Sequence, residues 1–474
     1  METNFIAVIG IEVHTVVNSK SKMFSPAKSV HNDPKNTNIF PIDLGHPGTM
    51  PTPNQKCIEK AIVLAKALNM EIEHEISFDR KNYFYQDLPK GFQITQQFNP
   101  IGKNGKIKIG DNQFVDVERI HMEEDTAKQF IFEDKILLDY NRSGMPLIEI
   151  VTKPCMHTAN EAALFLKQLR RILTFNQISD AKMEEGSMRV DVNISVNPIG
   201  AKQYGTRVEI KNINSISNVE KAIEYEIQFQ ISQILRNEPV VMATKRFNDK
   251  TMQTEFMRKK TTNTDYHYMK EPNIYYKVID DAFIINIIAK HYVDIEKIVS
   301  DLKDNQVSNE FINLLIDNYE LYTKFVYINN IVNDCPEVIK WLCIEFMGWI
   351  KKNNAKIESV SDFQIKELAK LITYIKDQSI NAKQGKEIVR LLVETNKEID
   401  LIIKENNFLQ ITDEKILKPI LVKLIAENQR MVDQYETKKE RVEKFFIGMV
   451  MKETQGQANP NVVNKIFNEL IAKK

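Results

Sequence analysis

The chain has 474 residues, too many for one hydrophobic core, so two or three domains are expected. Hydrophobic residues make up 43% and charged residues 27%, ordinary for a soluble globular protein, and 64 Lys+Arg balance 64 Asp+Glu. That balance removes any global basic footprint, so a nucleic-acid partner must be met by a local patch. Cys57, Cys155, Cys335 and Cys343 are scattered and form no CxxC pair, which argues against a disulfide framework, structural zinc or thioredoxin-like redox chemistry.

The first segment, METNFIAVIGIEVH, carries Glu12 and His14 and is too short and polar for a signal peptide or a membrane span. A cytoplasmic protein with no membrane partner is expected. Ile6–Thr15 reads as a strand with Ile9, Ile11 and Val13 on one face and Glu12 and His14 on the other. Asn54–Asn69 reads as a helix, since Ile58, Ala61, Ile62, Ala65 and Leu68 recur at its period. The stretch FDRKNYFYQDLPKG (78–91) interleaves Arg80, Lys81 and Lys90 with aromatics, a pattern that grips phosphate and stacks on bases or a terminal ribose.

Four more strands follow. In Phe114–Glu124 and its continuation, His121, Glu123 and Asp125 alternate with Met122 and Glu124; strict alternation allows only one of Glu123 and Glu124 on a given face. Glu149 stands alone in the apolar strand Leu147–Thr152. Met188–Val196 sets Arg189, Asp191, Asn193 and Ser195 against Val190, Val192, Ile194 and Val196. Thr206–Asn212 sets Arg207, Glu209 and Lys211 against Val208 and Ile210. Thr158–Thr174 begins at a Thr-Ala-Asn-Glu capping signal, and Val219–Leu235 has helical spacing.

Near residue 290 the chain changes character: only Pro336, Pro419 and Pro460 of the 16 prolines lie beyond it. About eight helices are expected from Asp294 onward. The periodicity weakens between Asn396 and Ile411, and Thr412-Asp413-Glu414 looks like a fresh helix start. The expected division is 1–293, 294–410 and 411–474. From Arg430 to Lys474 nine Lys/Arg face six Asp/Glu, with Lys438, Lys439, Arg441, Lys444 and Lys452 close together. Lys452–Pro460 reads as a turn and Asn461 as the start of a last helix.

Polar alternation alone describes any half-solvated sheet. Here five strands carry carboxylates, and Asp and Asn are depleted in ordinary strands. Crowded carboxylates repel unless a cation neutralises them. Oxygen donors with one imidazole suit Mg²⁺ or Mn²⁺, and nearby Arg and Lys suit phosphate oxygens, the components of phosphoryl transfer. No GxxxxGK[ST] loop is present, so an ATP site would lie on a sheet face.

IGIEVH, FDRKNYFYQDLPKGFQI, RIHMEEDTAK, NRSGMPLIEIV, MEEGSMRVDVNISV, GTRVEIKNINS and VEKAIEYEI resemble, in order, the successive motifs of the glutamyl/aspartyl-tRNA amidotransferase B-subunit family. FFIGMVMKETQGQANPNVVNKI resembles its C-terminal tail. The resemblance implies an α+β protein: a cradle domain with a glutamine-synthetase-like, mainly antiparallel sheet, then an all-α domain and a small α-helical tail. It implies a kinase that uses ATP and Mg²⁺ to activate the side-chain carboxylate of misacylated Glu-tRNA(Gln) or Asp-tRNA(Asn). An amidase-type A subunit would supply ammonia and a small C subunit would bridge the two; tRNA is the implied nucleic acid, not DNA. Carried over residue by residue, Glu12, His14, Glu123, Glu124, Glu149, Asp191 and Glu209 are the metal candidates, with Glu12, His14 and Glu124 foremost. Arg80, Lys81, Arg189 and Lys211 are candidates for phosphate oxygens. Asp191, Asn193 and Glu209 line the nucleotide side, and Tyr83 and Tyr85 are placed against the tRNA acceptor end.

Two departures qualify the resemblance. Ser25, Ala27, Phe40 and Asp43 stand where some family members carry zinc-binding cysteines, so zinc is not expected. Where the family reads DYRYFPEPDL, this chain has Asp265-Tyr266-His267-Tyr268-Met269-Lys270-Glu271-Pro272-Asn273, which loses that arginine and final aspartate. A ligase acting on a free small molecule, or a non-catalytic RNA-binding subunit, are the alternatives. Turnover without tRNA would mark the first, and amidation surviving Glu12→Ala and Glu124→Ala the second.

Overall fold

The computed structural model describes residues 4–30, 32–259, 266–406, 408, 411–454 and 456–472. Asp265, the expected boundary at residue 410 and Gln455 of the tail motif lie outside the described residues. The chain divides into two compact units, Met1–Ile295 and Glu296–Lys474.

In unit 1 the strands are β1 (Phe5–Val16), β2 (Glu71–Ile72), β3 (Glu75–Ile76), β4 (Asp79–Asn82), β5 (Phe92–Thr95), β6 (Gly102–Gly110), β7 (Gln113–Glu124), β8 (Lys128–Phe132) and β9 (Lys135–Asp139). They continue with β10 (Pro146–Thr152), β11 (Met188–Pro198), β12 (Val208–Lys211), β13 (Ala243–Asn248), β14 (Gln253–Lys259), β15 (Met269–Lys270) and β16 (Lys277–Val278). Nine of them form one sheet in the order β14-β13-β12-β11-β1-β10-β7-β6-β2, antiparallel throughout except for β12 beside β13. The fold class is α+β, as the alternating strands followed by helical periodicity led one to expect.

One face of this sheet is the core. Ile9, Ile11 and Val13 of β1, Ile148 and Ile150 of β10, and Val190, Val192 and Ile194 of β11 are all buried. They pack in one cluster with Ala61, Ile62 and Leu64 of α1 (Gln55–Ala67), Phe165, Leu166, Leu169 and Leu173 of α2 (Ala159–Phe175), and Val219, Ala222 and Ile223 of α3 (Ile216–Leu235). Each of the Val, Leu, Ile and Phe side chains contributes roughly 1.5–3 kcal/mol by leaving water. The helices start where their caps are: Asn54 accepts from the Lys56 amide, and Thr158 and Glu161 close a capping box. Ser215 accepts from Asn218, which starts α3 earlier than its apolar pattern alone indicates.

With its apolar face committed to helices, the period of two fixes the other face as polar. β1 lies at the centre, so Glu12 and His14 have neighbours on both sides. The register sets His14 opposite Glu149 and Arg189, Glu12 opposite Val151 and Asp191, and Glu149 opposite His121.

Unit 2 is helical among its described residues. Its helices are shorter and more numerous than the periodicity indicates, including a helix at Ile399–Glu405 where the pattern weakens. Ile339–Phe346 is a π-helix carrying the buried Trp341. Asp413 caps Glu414–Glu427, and Asn459 caps Pro460–Ile471. Leu417, Leu421, Val442, Phe446, Val450 and Phe467 form a core of their own within the tail. Among the described residues no helix is long and apolar enough to cross a membrane.

Candidate active site

Two groups of ligand atoms lie on the polar face: His14, Glu123 and Glu149, and Glu12, Asp191 and Glu209, each within 4.8 Å of one another. Their sequence positions are far apart; the strand order β12-β11-β1-β10-β7 brings them together. His14 Nε2 is 3.3 Å from Glu149 and 3.5 Å from Glu123, and His121 Nε2 is 3.0 Å from Glu149. Asn193, opposite Gly10 and Glu209, donates from its amide to Glu12 at 2.9 Å, while its buried Oδ1 has no partner. Thr244 donates to Glu209 at 2.9 Å.

This density of charge shifts the acid–base equilibria. Burial, Glu149 and Asp191 raise the Glu12 carboxyl above the usual carboxylate range. Burial and the neighbouring Glu149 also raise Glu123, whereas in Glu149 burial is overcome by His121 and His14, which hold it well below that range. For His14, burial opposes the charge but Glu149 and Glu123 outweigh it and lift the imidazolium to about 9. Carboxylate oxygens, one imidazole and the unpartnered Asn193 oxygen form a hard, oxygen-rich donor set, which fits Mg²⁺.

Basic side chains border both groups. Lys211 bonds Asp191 and lies 3.4 Å from Glu209; Arg189 reaches Asp125 at 3.0 Å. Both remain charged. Asp125 raises Arg189, and for Lys211 burial is outweighed by Asp191 and Glu209. A cavity of about 490 Å³ opens beside them, lined by Arg189, Asp191, Asp125, Arg142, Lys35 and Lys128. The Lys81 ammonium sits 4.8 Å from the Tyr266 ring centre and 5.9 Å from that of Tyr83. Burial of Lys81 is offset by Glu123, Tyr268 and Glu149, so its charge is favoured.

Six of the seven metal candidates thus fall into the two groups. Glu124 does not: it points to the other side, where Lys90 and the Ile94 amide (3.1 Å) occupy its Oε1. Of the two, Glu123 is the one whose carboxylate lies within a ligand group. Arg80 is also committed elsewhere, with Nε and Nη2 on Glu271 at 2.6 and 3.0 Å and its guanidinium 4.0 Å above Phe92. It joins the segment after β15 to β4. Tyr83 is half-buried and donates to Gln93 at 3.3 Å, while Tyr85 is exposed beside it, ring centres 5.8 Å apart.

Sequence reading passed over two side chains as candidates. His121 is a second imidazole on Glu149, visible in the alternation of IHMEE. Arg119 lies two residues before it and belongs to the same face, opposite Val151. Tyr266 and Tyr268 form one wall, held by strand pairing of Met269 with Arg80 and by the Asn82 amide on Tyr266 O at 2.9 Å.

Most of the chain matches known proteins. The model of the GatB/GatE catalytic domain matches residues 7–285, and that of the GatB domain matches residues 324–471. A Malacoplasma penetrans protein, named as the B subunit of aspartyl/glutamyl-tRNA(Asn/Gln) amidotransferase, is 69% identical over 473 residues, covering 99% of this chain and 98% of that protein. Proteins of the same name from Ureaplasma parvum and Mycoplasma genitalium are 46% and 44% identical, covering 99% of this chain and 100% and 98% of their own lengths. The chain belongs to the family of aspartyl/glutamyl-tRNA(Asn/Gln) amidotransferase B subunits.

Proposed function

We propose that this chain is the kinase and transamidase subunit of a glutamine-hydrolysing aminoacyl-tRNA amidotransferase, acting on misacylated Glu-tRNA(Gln), Asp-tRNA(Asn) or both. The observation that carries the reading is the pair of ligand groups on one sheet face, with Lys81, Arg189 and Lys211 around them. Free carboxylates do not exchange oxygen for nitrogen at neutral pH because the leaving group is too poor. In the proposed first step a side-chain carboxylate oxygen attacks the γ-phosphorus of ATP; the bond from γ-phosphorus to the bridging oxygen breaks and ADP leaves. In the second, ammonia attacks the acyl carbon of the acyl phosphate, the carbon–oxygen bond breaks, and phosphate and a proton are released.

His14, Glu123 and Glu149, and Glu12, Asp191 and Glu209 with Asn193, would hold Mg²⁺, whose bound charge offsets that of the polyphosphate. The chain's own groups position and neutralise. Arg189 and Lys211, fixed by Asp125 and Asp191, place positive charge beside the cavity suited to the nucleotide. The aromatic wall of Tyr83 and Tyr266 keeps water from Lys81. Tyr85, exposed, suits the acceptor end of tRNA.

Among the described residues no glutaminase nucleophile with a partnered base is evident, which supports ammonia supply by an amidase-type A subunit and a heterotrimer with a small C subunit. We assign residues 1–293 to the chemistry, 294–410 to a connecting helical domain and 411–474 to tRNA binding, where Lys438, Lys439, Arg441 and Lys444 meet phosphates. The test is ATP hydrolysis by the reconstituted complex with and without misacylated tRNA. Glu123→Gln and Glu12→Gln are expected to lower the tRNA-stimulated rate at least a hundredfold; unchanged rates would refute the assignment.

A further inference from the structure

The basic residues of the polar face are not equivalent. Arg189 and Lys211 are ion-paired to Asp125 and Asp191, and Arg80 to Glu271. Arg119 is different. It is half-buried, its Nε is shielded from water, and among the described residues its side chain makes neither a hydrogen bond nor an ion pair. A shielded donor on a guanidinium costs free energy unless an acceptor meets it, and an unpaired one needs an explanation. Neither neighbour in the ladder supplies the acceptor: on β6 it is Lys103, which pairs with Glu73, and on β10 it is Val151.

Lys81 likewise has no ion pair among the described residues and is held against the Tyr83 and Tyr266 rings. Tyr268 links the two: its phenol lies in the field of Lys81, Glu149 and Arg119. These groups stand on the β7 side of the ligand atoms. The 490 Å³ cavity borders Arg189 and Asp191 on β11, and Arg119 does not line it. A nucleotide in that cavity would leave the β7 side for the second reactant, which is small and carries one carboxylate.

We propose that Arg119 and Lys81, under the wall of Tyr266 and Tyr268, form an oxyanion subsite that receives the side-chain carboxylate of the aminoacyl group and so distinguishes it from the amide product. This inference rests on the aminoacyl-tRNA reading above. The planar guanidinium fork donates to two carboxylate oxygens, whereas an amide presents one acceptor and a repelled NH₂. Product would then leave because the group that held the substrate no longer binds it.

The test is equilibrium binding, without ATP, of the assembled enzyme to misacylated tRNA and to the same tRNA carrying the amide. The wild type is expected to favour the carboxylate form at least tenfold. Arg119→Met should bring that ratio within about threefold of unity, Arg119→Lys should restore part of it, and Lys81→Met should reduce it. In the Arg119 variants, affinity for uncharged tRNA, the KM for ATP and the melting temperature should stay near wild type. A wild-type ratio near one, an unchanged ratio in Arg119→Met, or an effect confined to the KM for ATP would overturn the proposal. If tRNA-stimulated ATP hydrolysis were absent while the binding ratio still fell in Arg119→Met, the kinase reading would fail and the subsite would stand.

Discussion

Asp43→Ala should unfold unit 1 more readily in a way that pH reveals. Asp43 is 3% exposed, and its Oδ2 accepts from Lys22 Nζ at 3.2 Å, Ser25 Oγ at 3.1 Å and the Phe40 amide at 2.9 Å. Lys22 is fully buried, and beyond Asp43 its ammonium has the Tyr140 carbonyl at 3.2 Å. Removing the carboxylate strands a buried charge, at a cost of about 3–5 kcal/mol. An upper bound comes from linkage: the lysine can always deprotonate, which costs about 1.4 kcal/mol for each pH unit below its unfolded value near 10.4, or about 5 kcal/mol at pH 7. Burial already sets Lys22 below its ordinary range in the wild type, with Asp43 opposing. Its folded form therefore binds the proton less readily than the unfolded chain, and stability rises with pH between the folded value and the unfolded one. Loss of Asp43 lowers the folded value further and extends that window downward. The deficit of the variant should accordingly shrink from 3–5 kcal/mol at pH 7 to about 2 kcal/mol at pH 9. Both tryptophans, Trp341 and Trp349, lie in unit 2, so the assay is amide exchange of β1 by mass spectrometry. A deficit under about 1 kcal/mol, or one that does not fall with pH, would refute the reasoning.

Gly385→Ala should cost about 1–3 kcal/mol, because a Cβ there would lie 2.7 Å from both Trp341 and Ile375; urea unfolding followed by tryptophan fluorescence measures it, and an unchanged midpoint would count against the packing described. Burial pushes the Cys57 and Cys343 thiols up to about 12, so labelling by a disulfide reagent at pH 8 should be about a thousandfold slower than for an ordinary thiol until the chain is unfolded. His14, held as imidazolium to about 9, must lose its proton to bind a cation. Mn²⁺ affinity should therefore rise with pH, by up to about tenfold per unit between pH 7 and 8.5, and a flat profile in a titration would exclude His14 as a ligand.

The polar face was legible because alternation is strict in β1, β10 and β11: once Ile9, Ile11 and Val13 are assigned to the core, Glu12 and His14 have one direction left. Choosing between Glu123 and Glu124 needed the register with β10 and the sight of Lys90 waiting for Glu124. Arg119 was harder to see. The ladder between β7 and β10 slips between Val151 and Thr152, so the buried residues run Val115, Val117, then Ile120 and Met122. A reader counting by twos from the start of β7 puts Arg119 on the wrong face. The ion pair of Arg80 was hidden for another reason: its partner Glu271 is 191 residues away, and no local pattern announces such a pair. In unit 2 the apolar stripes marked helices but not the π-helix at Ile339–Phe346, whose residues have ordinary helical character. Nor did the pattern show that Ser25 and Asp43 are drawn into a buried network with Lys22.

The central claim is activation of a tRNA-bound carboxylate as its acyl phosphate. Hydroxylamine intercepts such an intermediate, so the most direct measurement is hydroxamate formation on misacylated tRNA by the assembled enzyme, supplied with ATP and Mg²⁺ but no glutamine. Hydroxamate at the side-chain carboxyl of the tRNA-bound amino acid, distinct from that formed by cleavage of the tRNA ester, is expected, dependent on ATP and lost in Glu123→Gln. Amidation proceeding normally with glutamine while no hydroxamate forms would contradict it.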